Sequence, residues 1–334
     1  MTDLALSVVI PTRNRPASLA ETVSCLSRQE LSRSAFEIVV VDDGSVPPVV
    51  LSQNEPGTRL TVIRRSSGER SGARNAGSAA ARGEIIVFVD DDITVRSDFL
   101  ERHLNAHQRW PGGLVVGSVV LPKEETTTPF VRFRQMLERN GIPEHEGPTE
   151  IPNLCTAANM SIARDDFQAI GGFDSDIVSG EDQDFALRHR RRGGTIAFLP
   201  EAVATHRDTA LTIRTYCRRV EWGSRHLIPF CRRYPEWIDN VRREAVNGAL
   251  SWGAEPVSAS LRKLAKSALY ARPFREGLFV AAWALEHIAA NSKALDRIYR
   301  GLIGIHMFRG YRNGVGAYEG SDERPVCRQA PATD

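Results

Sequence analysis

Three consecutive carboxylates, Asp90, Asp91 and Asp92, follow the Val- and Ile-rich run Glu84–Val89. At the carboxyl end of a strand they repel one another and lose hydration. A divalent cation carrying a diphosphate resolves that conflict, because Mg2+ and Mn2+ take oxygen ligands and keep positions open for phosphate. An exposed acidic turn is the plainer reading of the same residues. A second acidic strand end, Val41-Asp42-Asp43-Gly44-Ser45, reads by itself as an Asp-Gly turn. A third group, Glu181-Asp182-Gln183-Asp184, precedes a helix whose N-terminal dipole keeps carboxylates ionised. N-terminal capping would put acidic residues there.

These residues need elements to hold them. Leu6–Ile10, Phe36–Val41, Arg59–Ile63, Glu84–Val89 and Leu114–Val120 read as strands, several of them apolar without alternation, as in strands covered on both faces. Leu19, Val23 and Leu26 share one helical face behind the start signals Asn14 and Pro16, and Gly72–Arg82 and Asp98–Arg109 read as helices. The alternation predicts an α/β fold with a mostly parallel sheet flanked by helices, whose ligands bind at the carboxyl ends of the strands. The pattern weakens from Pro122 to Pro152. It returns with a helix over Asp184–Arg192, stopped by Gly193-Gly194, and two short strands ending at Leu199 and His206. The run Arg188, Arg190, Arg191 and Arg192 reads as a solvated helix face. Beyond Arg207 the chain reads as helical and basic, and from about Gly316 as an unstructured tail.

Composition narrows the class. The chain has 334 residues, 42% of them hydrophobic and 25% charged, as expected of a globular protein with a sizeable core. The apolar stretch Gly277–Leu285 falls short of the roughly 20 residues that a membrane span needs. The five cysteines are scattered and form no Cys-x-x-Cys pair, which argues against a disulfide framework or a zinc site. With no secretory signal at the N-terminus, a cytoplasmic location is expected. Residues 207–312 carry 19 Lys+Arg against 9 Asp+Glu in a chain of net charge +2, so the front of the chain is acidic and the rear basic. Strand one ends in Pro11-Thr12-Arg13-Asn14 and lacks the glycine-rich phosphate turn of dinucleotide and P-loop folds. The same turn does not fit the Gly-rich, Lys-containing loop of sugar-phosphate nucleotidyltransferases.

Six segments in order resemble the inverting nucleotide-sugar glycosyltransferases of family 2, with the GT-A fold. They are Val8-Val9-Ile10-Pro11-Thr12-Arg13-Asn14, Val41-Asp42-Asp43-Gly44-Ser45, Gly72-Ala73-Arg74-Asn75-Ala76-Gly77, Val89-Asp90-Asp91-Asp92, Gly171-Gly172-Phe173-Asp174 and Gly180-Glu181-Asp182-Gln183-Asp184. The resemblance covers roughly Leu4–Arg207 and implies a glycosyltransferase domain over 1–206, a basic helical extension over 207–315 and a tail over 316–334. It implies that Pro11, Thr12, Arg13 and Asn14 line the base and ribose pocket, and that Asp43 accepts a hydrogen bond from the base, with uracil preferred. Arg74 and Asn75 are expected near the diphosphate and sugar, with Asp90 and Asp91 on the nucleotide. Asp92, Asp90 and His206 would hold Mn2+ or Mg2+. Asn159 would touch the donor sugar, with a strand-edge structural role open beside it. Asp182 would be the catalytic base, and Glu181 and Asp184 would position it. A catalytically inactive relative would be expected to lose Asp92 or Asp182, and both are present.

The implied reaction moves a sugar from a UDP-sugar to an acceptor hydroxyl. Arginine outnumbers lysine 39 to 4, as in chains from GC-rich bacterial genomes, which points to polysaccharide or glycolipid assembly. The pairings of Arg218-Arg219 with Trp222, Arg232-Arg233 with Trp237, and Lys263 with Lys266 suit an anionic membrane face reaching a lipid-linked or glycan acceptor. Packing of a homodimer is the alternative for this extension, and no nucleic-acid module accompanies the charge.

Overall fold

The computed structural model describes residues 4–51, 57–66, 68–122, 128–139, 146–149, 155–208, 211–236 and 256–319. Trp237, Trp252, Cys327 and the stretch 320–334 lie outside them. The chain divides into two compact units. The first takes Met1–Lys123, Gln135–Ser175 and Glu181–Thr209, and the second Glu124–Arg134, Asp176–Gly180 and Ala210–Asp334.

The first unit is built on a nine-stranded sheet of spatial order β3-β2-β1-β4-β8-β6-β9-β5, with β7 pairing β9. The strands are β1 (Leu6–Thr12), β2 (Phe36–Asp43), β3 (Arg59–Arg65), β4 (Ile85–Val89), β5 (Ile93–Val95), β6 (Gly113–Val120), β7 (Gly147–Pro148), β8 (Asn159–Ala163) and β9 (Thr195–His206). The expected parallel arrangement holds across β3-β2-β1-β4 and again at β6-β9, while β8 runs antiparallel to both β4 and β6. The sheet is therefore mixed.

β2 and β4 are buried at every residue, which is why their sequences are apolar without alternation. β3 closes the parallel edge with the partly exposed Arg59, Arg64 and Arg65, and charge on an edge strand discourages further pairing. Alternate residues still sort to opposite faces. Leu6, Val8 and Ile10 pack with Leu19, Val23 and Leu26 of α1 (Pro16–Ser27) and with Phe99 and Leu100 of α3 (Phe99–Arg109). Val9, Ile86 and Phe88 pack on the other side with Phe167 of α5 (Arg164–Ile170), Phe173 and Phe185 of α6 (Glu181–Arg191). On that side α2 (Arg70–Ala80) lies close to the sheet, because a Cβ at Gly77 would run into Val9 and Val41. α4 spans Pro129–Arg139.

The two short strands expected before His206 are one twelve-residue strand, β9. Its register against β6 jumps between Gly117, opposite Leu199, and Ser118, opposite Val203. Pro200 sits in that bulge, where its missing N–H costs nothing to the ladder.

The second unit includes α7 (Ile213–His226), α8 (Ile228–Arg233), α9 (Val257–Leu269), α10 (Arg272–Ile288) and α11 (Lys293–Glu319). Thr212 and Thr215 form a reciprocal capping box at the start of α7. α7 and α11 meet backbone to backbone, since a Cβ at Gly310 or Gly314 would strike the carbonyls of Glu221 and Arg225. Residues 316–319, placed in the tail by sequence, form the last turn of α11. Among the described residues no helix is long and apolar enough to cross a membrane.

Candidate active site

β1, β2, β4 and β9 run in one direction, so Thr12, Asp43, Asp90 and His206 reach the same edge of the sheet. There Asp92 Oδ1 lies 3.1 Å from His206 Nε2, and Asp92 Oδ2 accepts from Arg15 Nη1 at 2.6 Å. Asp91 takes the Thr12 hydroxyl at 2.6 Å and Arg15 Nη1 at 3.3 Å. Burial pushes the Asp91 carboxyl up to about 6, against the pull of Thr12 and Arg15. Its neighbour goes the other way: in spite of burial, His206 and Arg15 hold Asp92 down at about 2. His206 is raised above its ordinary value, because Asp92, Asp90 and Asp208 outweigh its burial. Sequence reading overlooked Arg15 and Asp208. The available signal was an arginine at the N-cap of α1, where no side chain caps the helix and Ser, Thr, Asp or Asn would be usual.

One donor atom from each of Asp90, Asp92 and His206 falls within 4.8 Å of the others. Asp92 Oδ1 is buried without a hydrogen bond, the His206 ring being near but badly aligned. Carboxylate and imidazole donors around such an oxygen suit Mn2+ or Mg2+. The expected trio thus fits a divalent cation.

Behind these carboxylates lies Arg74, 3% exposed, on α2. Its Nη2 donates to Asp90 Oδ1 at 3.1 Å, and its Nη1 reaches Glu181 Oε1 at 3.3 Å and Asp182 Oδ1 at 3.5 Å. The expectation that Arg74 lies near a diphosphate is joined by a different arrangement: the guanidinium is held by three protein carboxylates and stands 5.5 Å over the Phe173 ring. Asp182 also accepts from the Ala157 N–H at 3.1 Å. Burial and the adjacent Glu181 push its carboxyl up to about 7, with Arg74 opposing.

At the β1 and β2 ends, Asn14 adopts a left-handed φ of 55°, which Asn tolerates better than most residues. Its N–H donates to Ser45 Oγ at 2.9 Å and its Oδ1 accepts from Val46 N–H at 2.8 Å, locking the two strand ends together. Asp42 forms the expected Asp-Gly turn, accepting from the N–H groups of Ser45 and Val49. Asp43 accepts from Gly68 N–H at 3.0 Å, and its carboxyl is raised chiefly by burial. Pro11 is half-buried, Thr12 buried and Arg13 exposed on this edge.

Asn75 and Asn159, expected on the donor, and Asp184, expected to position Asp182, are bonded within the scaffold. Asn75 exchanges two hydrogen bonds with the Phe173 backbone, at 2.8 and 2.9 Å, and so fixes the Gly171-Gly172-Phe173 turn. Asn159 is wholly buried. It donates to the carbonyls of Ser118 and Ala202 and pairs with His103 Nε2 at 3.0 Å, satisfying the backbone left open by the β9 bulge. The structural role left open for Asn159 is the one these bonds describe. Asp184 is likewise enclosed and takes Arg188 Nε at 2.8 Å. Arg188 is no solvated face: it also donates to the carbonyls of Ile170 and Gly172. His103, one turn before His107 on α3, joins Ser161 and Asn159 in a buried network that the sequence did not reveal.

Known proteins agree with this architecture. The chain is 26% identical over 272 residues to the pre-mycofactocin glycosyltransferase of Mycobacterium tuberculosis, a match covering 78% of this chain and 54% of that protein. The chain thus spans about half the length of that relative. It is 25% identical over 257 residues to the amylovoran biosynthesis glycosyltransferase AmsB of Erwinia amylovora, covering 72% of this chain and 79% of that one. The fold matches a mannosyltransferase from Pyrobaculum calidifontis, solved with GDP-Man and Mn2+, at a TM-score of 0.54 and 17% identity, over 92% of this chain and 87% of that chain. The family model described as glycosyl transferase family 2 matches residues 7–170, just under half of the chain, a stretch running from β1 through α5 and carrying Thr12, Asp43, Arg74 and the Asp90–Asp92 cluster; this match and the relatives support a family 2 glycosyltransferase.

Proposed function

We propose that the chain is an inverting glycosyltransferase that moves a sugar from a nucleotide diphosphate sugar, UDP preferred, to an acceptor hydroxyl in glycan or glycolipid synthesis. The observation that carries this reading is the buried Arg74, which holds Asp182 and Asp90 with one guanidinium and so ties a raised carboxyl to the acidic cluster. A carboxyl raised to about 7 is matched to general-base work near neutral pH.

In the proposed step the acceptor oxygen bonds to the anomeric carbon as the carbon–oxygen bond to the diphosphate breaks. The bonding pair leaves with the diphosphate, and the acceptor proton passes to Asp182. Arg74 and Glu181 keep Asp182 in place and set its affinity for that proton. Pro11, Thr12, Arg13 and Asn14 shape the nucleoside end, and Asp43 accepts from the base, a preference for uracil N3–H. Asp90, Asp92 and His206 would hold a divalent cation, which would supply positive charge against the departing diphosphate. We assign the acceptor side to a glycan or lipid-linked hydroxyl and leave the basic helices of the second unit to acceptor or membrane-surface contact.

The test is a thermal-shift panel of UDP, GDP, dTDP and CDP, each with and without Mn2+, on wild type and Asp92→Ala. A nucleotide at about 100 times its Kd adds roughly 2.7 kcal/mol. A Mn2+-dependent shift with UDP that disappears in Asp92→Ala is expected. No shift with any nucleotide would overturn the reading.

A further inference from the structure

The second unit contains a cleft of about 590 Å³ lined by Tyr270, Arg272, Arg275, Phe308, Arg309 and Arg312, together with Ser267, Ala271 and Asn313. No carboxylate lines it. Two guanidinium groups lie over the Tyr270 ring, Arg309 at 4.1 Å and Arg275 at 5.0 Å from its centroid. Two of the four arginines are partly neutralised: Arg309 Nε is 3.5 Å from Glu221, and Arg275 Nη2 is 3.1 Å from Glu276. Arg272 and Arg312 have no carboxylate partner among the described residues. α10 opens at this cleft with Ala271 as its N-cap and no side chain capping it, so the end of the helix dipole adds to the positive field. Burial, with Arg262 and Lys263 beside it, pulls the nearby Lys266 down to about 8. Planar guanidinium groups along such a cleft match phosphate oxygens.

The helix leading into this cleft is inverted. α9 buries Ser260 and Lys263 while Val257, Leu261 and Leu264, spaced i, i+4 and i+7, face outward, Leu261 with 56% exposure. On α10 Phe274 and Trp283 are exposed as well, Trp283 at 62%. α9 carries Arg262, Lys263 and Lys266 and no acidic residue. An apolar stripe on a wholly basic helix, leading to an arginine-lined cleft, is complementary to an anionic lipid surface rather than to water.

We propose that the cleft binds the phosphate of an anionic membrane lipid while the outward stripe of α9 rests in the bilayer interface. This surface differs from the one expected from sequence: Lys263 is buried, and Trp222 lies tilted against His226 at 4.7 Å within α7. The inference stands apart from sugar transfer, since it uses no residue of the acidic site.

The test is co-sedimentation of the full chain with vesicles of phosphatidylcholine alone and of phosphatidylcholine mixed with phosphatidylglycerol. Binding to the mixed vesicles is expected, falling about tenfold in Arg272→Glu/Arg312→Glu, a reversal of charge at the surface. A similar loss is expected in Leu261→Ser/Leu264→Ser. Both variants should keep the wild-type nucleotide shift, which shows that they are folded and separates this test from that of the transfer reaction. Equal binding to both vesicle types, or an arginine variant that binds like wild type, overturns the proposal. A thermal shift with inorganic pyrophosphate that is lost in Arg272→Glu/Arg312→Glu, in a chain that ignores vesicles, assigns the cleft to a soluble phosphate and overturns the lipid. A dimer dispersed by the leucine substitutions, again without vesicle binding, assigns the stripe to a second copy and overturns it too.

Discussion

Arg74 Nη1 stands 3.5 Å from Asp182 Oδ1, a buried cation on α2 set against the first turn of α6. The same guanidinium donates to Asp90 at 3.1 Å, so the site is cross-braced through one side chain. Arg74→Ala leaves Asp90, Glu181 and Asp182 without their shared cation. Removing one partner of a buried ion pair costs about 3–5 kcal/mol, which a lowered Tm would report. Below that stability loss, the pH midpoint of any residual activity should move upward, because Arg74 is the group opposing protonation of Asp182.

Asp182 gives the pH dependence. An acid raised to about 7 becomes a base only as the pH climbs through that value. Transfer should rise with pH through 7 and fall about tenfold per unit below it. Asp182→Asn should lower kcat by about 10²–10⁴ while leaving the nucleotide-induced thermal shift in place. An Asn variant with near wild-type turnover would remove Asp182 from the base role.

Asn159 tests the reassignment of a residue from the sugar to the scaffold. Asn159→Ala removes the side-chain donors to the Ser118 and Ala202 carbonyls and the partner of His103 Nε2, at a cost of about 1–3 kcal/mol. The nucleotide-induced shift, measured relative to the variant's own Tm, should stay as in wild type. Intact stability with a weakened donor shift would restore the sugar contact.

Glu37 supplies a stability test away from the site. It is buried on β2 and accepts from Ser7 Oγ at 2.7 Å, from Arg82 N–H at 2.7 Å and from the Arg82 guanidinium at 2.6 and 2.9 Å. Despite its desolvation, these bonds lower its carboxyl below the usual 4.5. A depressed carboxyl contributes stability that is present above the unfolded value and lost as pH falls through the folded one. Glu37→Gln should therefore cost roughly 1.5–3 kcal/mol at pH 7, the range for hydrogen bonds to a charged group. The gap to wild type in denaturant titrations should close as the pH falls below 4.5.

The strands, their burial and the acidic edge were legible in the sequence, because an apolar run without alternation has few places to go except a sheet covered on both faces. The order of the six motifs led to the family, and the carboxylates at the ends of β2 and β4 were where the α/β pattern puts a ligand site. Other features depended on residues distant in the chain. Whether Asn159 meets a sugar or a bulge depends on Pro200 interrupting β9 opposite Gly117, and a single chain of letters does not display that register shift. Arg74 and Arg188 read as a phosphate contact and a solvated charge. The fold placed carboxylates and open carbonyls around them, and burial makes such partners obligatory. Arg15 was unremarked until β1 and β4 lay side by side. Residue type and order thus determined the sheet, the family and which groups can carry chemistry. Tertiary structure alone decided which charges meet, because pairing energy depends on distance and on exclusion of water, and neither is written in sequence spacing.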